Sequence, residues 1–255
     1  MPLEIVTVPC LADNYAFLVH SSTTGETALI DAPEAGPILD ELSRHDWHLS
    51  EIWLTHHHWD HVDACGEIQD ATGAKVVGAA ADAHRLPPLN TRLRAGQNYR
   101  FANEDVVVLD VPGHTVGHIA FHLPQSKAVF TGDSLMALGC GRLMEGSPEQ
   151  MWGSLSRLAA LPTETTVYSG HEYTKTNARF ALTIEPDNPD LQSRARQTEA
   201  ARAAGNPTVP SLLKLELATN PFLRAKLPSV KSALGMEDSS DVDVFAEIRR
   251  RKDSF

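Results

Sequence analysis

One stretch of seven residues limits what this chain can become: Thr55-His56-His57-His58-Trp59-Asp60-His61, entered directly from the apolar run Ile52-Trp53-Leu54. Side chains alternate along an extended backbone, so His56, His58 and Asp60 can share one face while His57 and Trp59 take the other. His61 must then be turned inward by a loop or by the start of a helix. Neutral imidazole is a common ligand for zinc and other first-row ions, and a carboxylate adds the charge that histidines alone lack. A lone histidine is usually a packing or surface residue. Four candidate donors within six residues weigh against that, and a purification tag or surface scavenging tract would not sit inside the chain behind an apolar strand.

Three more pieces end expected strands in the same way. Val111-Pro112-Gly113-His114-Thr115-Val116-Gly117-His118 follows the run Val106–Val111, Phe130-Thr131-Gly132-Asp133 ends in a carboxylate, and Tyr168-Ser169-Gly170-His171 ends in an imidazole. Each alone is weak, because Gly-Asp is an ordinary turn pair and a Gly-His at a strand end is commonly structural. Together they describe ligand-rich loops gathered at one edge of a sheet, the expected form of an active site on a rigid scaffold. His20, His45, His48, His57, His84, His118 and His122 read as ordinary, with His118 a candidate hydrogen-bond partner behind a ligand.

Up to about Tyr168 short β-rich runs alternate with helical stretches, the grammar of layered α/β structure. The expected strands are Glu4–Pro9, Ala16–His20, Thr27–Asp31, Glu51–Leu54, Lys75–Gly78, Val106–Val111, Ile119–Leu123, Ala128–Thr131 and Thr166–Ser169. Ala35–His45, Val62–Thr72 and Pro148–Ala160 are expected helices, the last with a Ser147-Pro148-Glu149 start signal. Beyond His171 strand runs vanish, and Thr174–Ile184, Pro189–Ala204, Pro210–Leu217 and Val242–Lys252 read as helices between breakers. Two domains are therefore expected, 1–173 and 174–255.

Three widely spaced cysteines, Cys10, Cys65 and Cys140, offer neither a disulfide framework nor a thiolate metal site. That points to a reducing cytoplasm, as does the start MPLEIVTVPC, which lacks a basic-then-apolar leader. No run approaches a membrane span. A formal charge of −11 disfavours nucleic-acid partners. One basic cluster, Arg249-Arg250-Arg251-Lys252, stands apart; taken alone it suits a solvated helix end, where cations complement the macrodipole.

With His-x-His-x-Asp-His, Pro-Gly-His-Thr-x-Gly-His, Thr-Gly-Asp and Gly-His in order, the chain resembles the metallo-β-lactamase superfamily. Within it, the chain is most similar to the glyoxalase II family of hydroxyacylglutathione hydrolases. That narrower likeness rests on THHHWDH at Thr55–His61, FTGDSLMALGCGRLMEGS at Phe130–Ser147, SGHEYTKTNARFA at Ser169–Ala181, GNPTVPS at Gly205–Ser211, NPFLR at Asn220–Arg224 and RRRKD at Arg249–Asp253. The resemblance implies an αββα sandwich, two β-sheets flanked by helices, with a C-terminal α-helical substrate-binding domain. It implies two divalent metal ions, zinc first, with iron or manganese compatible. His56, His58 and His114 would hold one ion and Asp60, His61 and His171 the other, with Asp133 between them. Asp60 and Asp133 would thus be the catalytic carboxylates. Arg142, Tyr173, Arg249 and Lys252 would bind glutathione, while Met144 departs from a tyrosine common in the family and removes one hydroxyl contact.

The implied reaction is hydrolysis of a glutathione thioester, S-D-lactoylglutathione, to glutathione and D-lactate, with hydroxide from the metal pair attacking the carbonyl. The implied setting is a cytoplasmic monomer acting on a small molecule in methylglyoxal detoxification. Two rivals are a glutathione-persulfide dioxygenase of the same fold using one iron, and a metal-containing interaction protein without turnover. Oxygen consumption separates the first; the intact set of seven donors argues against the second.

Overall fold

Apolar runs become strands here wherever a turn signal bounds them. In the computed structural model, which describes residues 2–255, the chain begins with strands β1 (Glu4–Cys10), β2 (Asn14–His20) and β3 (Glu26–Ile30). Helix α1 (Ala35–His45), strand β4 (His48–Trp53), the single turn α2 (Trp59–Val62) and helix α3 (Cys65–Thr72) follow. Strands β5 (Lys75–Ala79) and β6 (Thr91–Leu93) complete a sheet whose order is the chain order. β1, β2 and β3 pair antiparallel, whereas β3 to β6 run parallel. The parallel half puts the ends of β3 and β4 at one edge, where loops can carry ligands.

β7 (Asn98–Phe101), β8 (Glu104–Asp110), β9 (Ile119–Leu123) and β10 (Ala128–Gly132) form an antiparallel series. The two groups of strands share one core. Trp53 of β4, fully buried, meets Tyr99, Phe101 and Phe121 with ring centroids 5.8, 5.2 and 5.1 Å away, and Phe17 meets Phe130 at 5.7 Å. Truncating such a ring typically costs about 3–5 kcal/mol. Helix α1 buries Ala35, Ile38 and Leu42, one stripe at helical spacing, and lies against β1 and α3. All of this belongs to one packing unit, the chain up to Asp110 together with Gly117–Gly132.

The second unit is Val111–Val116 with Asp133–Phe255. It starts with a small hairpin, β11 (Leu135–Met136) and β12 (Gly139–Cys140), and helix α4 (Pro148–Ala159). The expected start signal of α4 is a reciprocal capping box, Ser147 accepting from the Gln150 N–H and Gln150 returning to the Ser147 N–H. β13 (Thr166–Ser169) pairs antiparallel with β14 (Ser211–Leu212). Around them are helices α5 (Thr174–Ile184), α6 (Pro189–Ala203), α7 (Leu213–Thr219), α8 (Pro228–Leu234) and α9 (Asp241–Asp253). α5 packs on α6 and α8, α6 on α7, and α4 on α9. No helix among the described residues is long and apolar enough to cross a membrane.

Several elements differ from the sequence reading. The helix expected over Val62–Thr72 is split after Val62, because the Ala64 N–H donates to the Ala32 carbonyl while the His61 carbonyl accepts from the Ala32 N–H. The helix expected from Pro210 starts at Leu213, since Ser211 and Leu212 pair with β13. β6 and β7 are short and rich in polar residues, and only pairing with a neighbour makes them strands. α8, opening on Pro228, was not expected; proline at a first helical position was its available signal.

Candidate metal centre

In the first unit the end of β4 delivers Thr55 and the histidines, and the end of β3 delivers what holds them. Asp31, just after β3, adopts the left-handed conformation (φ 58°). Its carboxylate accepts the Thr55 N–H and the Thr55 hydroxyl, each at 2.8 Å, and His61 Nδ1–H, also at 2.8 Å. With its proton committed to Asp31, the Thr55 hydroxyl oxygen accepts from His56 Nδ1, 3.0 Å away. Both imidazoles are therefore oriented through Nδ1, which makes Nε2 the nitrogen each could offer to a metal. The His56 ring lies 4.7 Å from that of His58 and 4.2 Å from that of His61. Asp60 sits in the first turn of α2, not in the extended stretch expected for it, with Oδ2 3.9 Å from His61 Nε2. Asn14 fixes this carboxylate by donating to its Oδ2 at 3.2 Å and to its carbonyl at 3.0 Å.

His57 faces elsewhere, as strand alternation predicts, 3.0 Å from the buried carboxylate of Asp82. His118 lies flat on His56, with centroids 4.6 Å apart and planes 12° from parallel. Gly132 explains the glycine of Thr-Gly-Asp: its φ is +47°, and a Cβ there would meet Thr55 Oγ1 at 2.5 Å and His118 at 2.9 Å.

The second unit gathers the remaining three candidates. Asp133, immediately after β10, places Oδ2 3.6 Å from His114 Nε2 and 3.3 Å from His171 Nε2. His114 donates Nδ1–H to the Arg142 carbonyl at 2.8 Å, so it too is oriented through Nδ1. Gly141 permits this approach, since a Cβ there would stand 2.0 Å from the Asp133 carbonyl oxygen and 3.0 Å from His114 Nδ1. His171 is backed by Tyr173, stacked at 4.6 Å.

Among the described residues, the histidines and aspartates able to hold an ion thus divide four and three between the two units. Imidazole nitrogens tied at the far ring atom, together with carboxylates, are a donor set that fits a divalent first-row cation. Thiolates do not compete. Burial pushes Cys10 up to about 12 and Cys65 and Cys140 up to about 11, so all three are protonated near neutrality.

The structure sorts the basic cluster of α9. Arg250 and Arg251 both pair with Glu247 at the surface, at 2.8 and 2.7 Å, the solvated helix end considered from sequence. Arg249 turns inward and is 5% exposed, donating Nη1 to the Cys140 carbonyl at 3.0 Å and Nη2 to Asp253 at 2.8 Å. Its guanidinium also lies 5.1 Å over the Phe222 ring. Lys252 is half-buried, and Arg142, with a side chain 69% exposed, reaches within 3.7 Å of the same Asp253. Arg142, Arg249 and Lys252 therefore share one corner of this unit, while Tyr173 stands beside His171. Sequence reasoning missed Asp31, Asn14 and Asp82. For Asp31 a signal existed, a carboxylate closing an apolar strand just as Asp133 does.

Residues 12–171 match the family model described as the metallo-beta-lactamase superfamily, and residues 172–255 match that of the hydroxyacylglutathione hydrolase C-terminus. A hydroxyacylglutathione hydrolase of Ruegeria pomeroyi is 63% identical over 255 residues, covering 100% of both chains. Among solved structures, ETHE1 from Myxococcus xanthus is 26% identical with a TM-score of 0.69, covering 98% of this chain and 90% of its own. TTHA1623, solved in a di-iron-bound form, is also 26% identical, with a TM-score of 0.61 over 86% of this chain and 100% of its own.

Proposed function

Because the chain belongs to the metallo-β-lactamase superfamily, and within it to the hydroxyacylglutathione hydrolases, we propose that it hydrolyses S-D-lactoylglutathione to glutathione and D-lactate on a pair of metal ions. The fold is that of the superfamily, two β-sheets flanked by helices, followed by the helical C-terminal domain of the hydrolase family. In this reading His56, His58 and His114 hold one ion, Asp60, His61 and His171 the other, and Asp133 serves both. Zinc is the first choice, and iron or manganese accept the same donors. Residues 1–173 then act as the catalytic domain and 174–255 as the substrate-binding domain, in a cytoplasmic monomer.

The observation that carries this reading is the position of Asp133: one carboxylate oxygen lies within 3.6 Å of Nε2 of both His114 and His171, the imidazoles assigned to different ions. A bound pair of divalent cations would bring water to near-neutral acidity and draw charge from the thioester carbonyl oxygen. The chain's own groups supply the rest. Asp31, Thr55 and the Arg142 carbonyl keep three imidazoles in the ligating tautomer, and Asn14 keeps Asp60 turned toward His61. Lys252, Arg142 and Tyr173 offer two cations and a phenol to the carboxylates and amides of glutathione, with Arg249 fixing the backbone from which they act. No protein acid is required for departure of the thiol, whose pKa lies near ~8.5. Met144, exposed where the family often has tyrosine, leaves that contact unmade.

The test is thioester hydrolysis by protein of measured metal content, comparing lactoylglutathione with a lactoyl thioester lacking the glutathione moiety. Fast turnover of the first alone, scaling with two ions per chain, is expected. Equal rates on both, or none with the metal loaded, would overturn the assignment.

A further inference from the structure

Phe255 is 54% exposed. It is nonetheless held. Beyond α9 the Ser254 and Phe255 N–H groups donate to the Arg251 and Lys252 carbonyls at 3.3 Å, which carries the helix on into a tighter turn. The Phe255 ring then meets buried Phe180 edge-on, with centroids 5.6 Å apart. Lys252 Nζ lies beside both, 5.3 Å from the Phe180 centroid and 5.1 Å from that of Phe255. Both distances are within the range at which an ammonium is attracted to an aromatic face. Among the described residues, Lys252 is thus held by two rings and not by a carboxylate, whereas Arg249, Arg250 and Arg251 each have an acidic partner.

We propose that Phe255 is a positioning residue for substrate binding: its ring, edge-on beside Phe180, clamps the Lys252 ammonium against the two rings in the place where it receives a substrate carboxylate. The proposal rests on the reading of Lys252 as a glutathione contact. A lysine has a long flexible stem, and fixing its head before binding removes an ordering cost that a free side chain would bear at each encounter. A carboxylate partner would fix it too, but would compete with the substrate's own. Rings do not.

Burial, then Arg249 on the same helix, Arg142 from the loop after β12 and Arg179 from α5, push the Lys252 pKa down to about 8, with Asp253 opposing. The ammonium is charged at neutral pH and is lost as pH rises through that value. KM for the thioester should therefore climb above about pH 8 while kcat stays level.

The experiment measures KM and kcat for lactoylglutathione between about pH 6.5 and 9.5 in the metal-loaded wild-type enzyme and in Phe255→Ala, Phe255→Leu, Phe255→Tyr and Lys252→Met. Phe255→Ala and Phe255→Leu should raise KM about two- to fivefold at pH 7 with kcat unchanged, the scale of one cation–π contact. Phe255→Leu keeps the bulk without the π face, so loss of packing alone would spare it; Phe255→Tyr should bind like wild type. Phe255→Leu loses the π face that favours the charged ammonium without admitting water in its place, so its alkaline rise in KM should move to lower pH. If Lys252→Met raises KM while both ring-less variants keep the wild-type KM and pH profile, the clamp is wrong and the contact survives. An unchanged KM in Lys252→Met removes the contact itself, and the clamp with it.

Discussion

The two units supply their candidate ligands in opposite ways. In the first, four donors fall within the six residues His56–His61, and the groups that orient them, Asp31 and Thr55, sit at the ends of the adjacent parallel strands β3 and β4. In the second, His114, Asp133 and His171 are far apart in sequence. The hairpin that follows Asp133 is pinned by the helical region: Leu138 N–H donates to Glu216 at 2.9 Å, and Asn220 donates to the Met136 and Gly139 carbonyls at 3.1 and 3.0 Å. Asn177 donates to the Ala137 carbonyl, and Arg249 to that of Cys140, each at 3.0 Å. Glu216 is fully buried and takes hydrogen bonds from Arg194, Ser211 and Asn220 as well. One half of the candidate set is a local motif on a sheet. The other depends on long-range polar contacts, so the helical region that the family reading assigns to substrate binding also holds the hairpin beside a candidate ligand.

The largest effect should come from Asp133→Ala, which removes the carboxylate meeting both His114 and His171. Turnover should fall by about 10³-fold or more, with lower metal content by elemental analysis. A kcat within about tenfold of wild type would show that the dispersed half is dispensable and break the comparison. Next is Glu216→Gln, which leaves buried Arg194 without its counter-charge and the hairpin with a weakened anchor. A loss of about 3–5 kcal/mol in denaturant unfolding is expected; less than about 1 kcal/mol, the net value of an ordinary hydrogen bond, would mean that the hairpin is held by something else. The smallest of the three is Asp31→Asn, which keeps shape but loses the charge behind His61. Metal affinity, measured by chelator competition, should drop about 10- to 100-fold. Unchanged affinity would sharpen the comparison in the other direction, making Thr55–His61 sufficient without its neighbour.

Much of this is legible in the amino-acid sequence. Strand alternation separated His57 from His56 and His58, and Pro148 with Ser147 marked the start of α4. Other features were hidden for identifiable reasons. Asp60 belongs to a helical turn that begins only because the chain is tied back to Ala32 by the His61 and Ala64 backbone. Arg249 to Lys252 are four similar cations in a row, and helical phase alone decides that Arg249 is buried while Arg250 and Arg251 meet Glu247. Asp31 looked like an ordinary strand end until β4 was laid beside β3.

The residues alone therefore determined the chemistry available: which side chains can bind a metal, that they end strands, and which family shares their order. Those are properties of single side chains and of a period of two along the backbone. Tertiary structure decided which atoms face one another, including Asp31 behind His61, Glu216 beneath the hairpin and Phe180 beside Lys252. Bringing such groups together means closing loops of tens of residues, a cost offset only by strand pairing and by buried polar bonds whose partners no local pattern names.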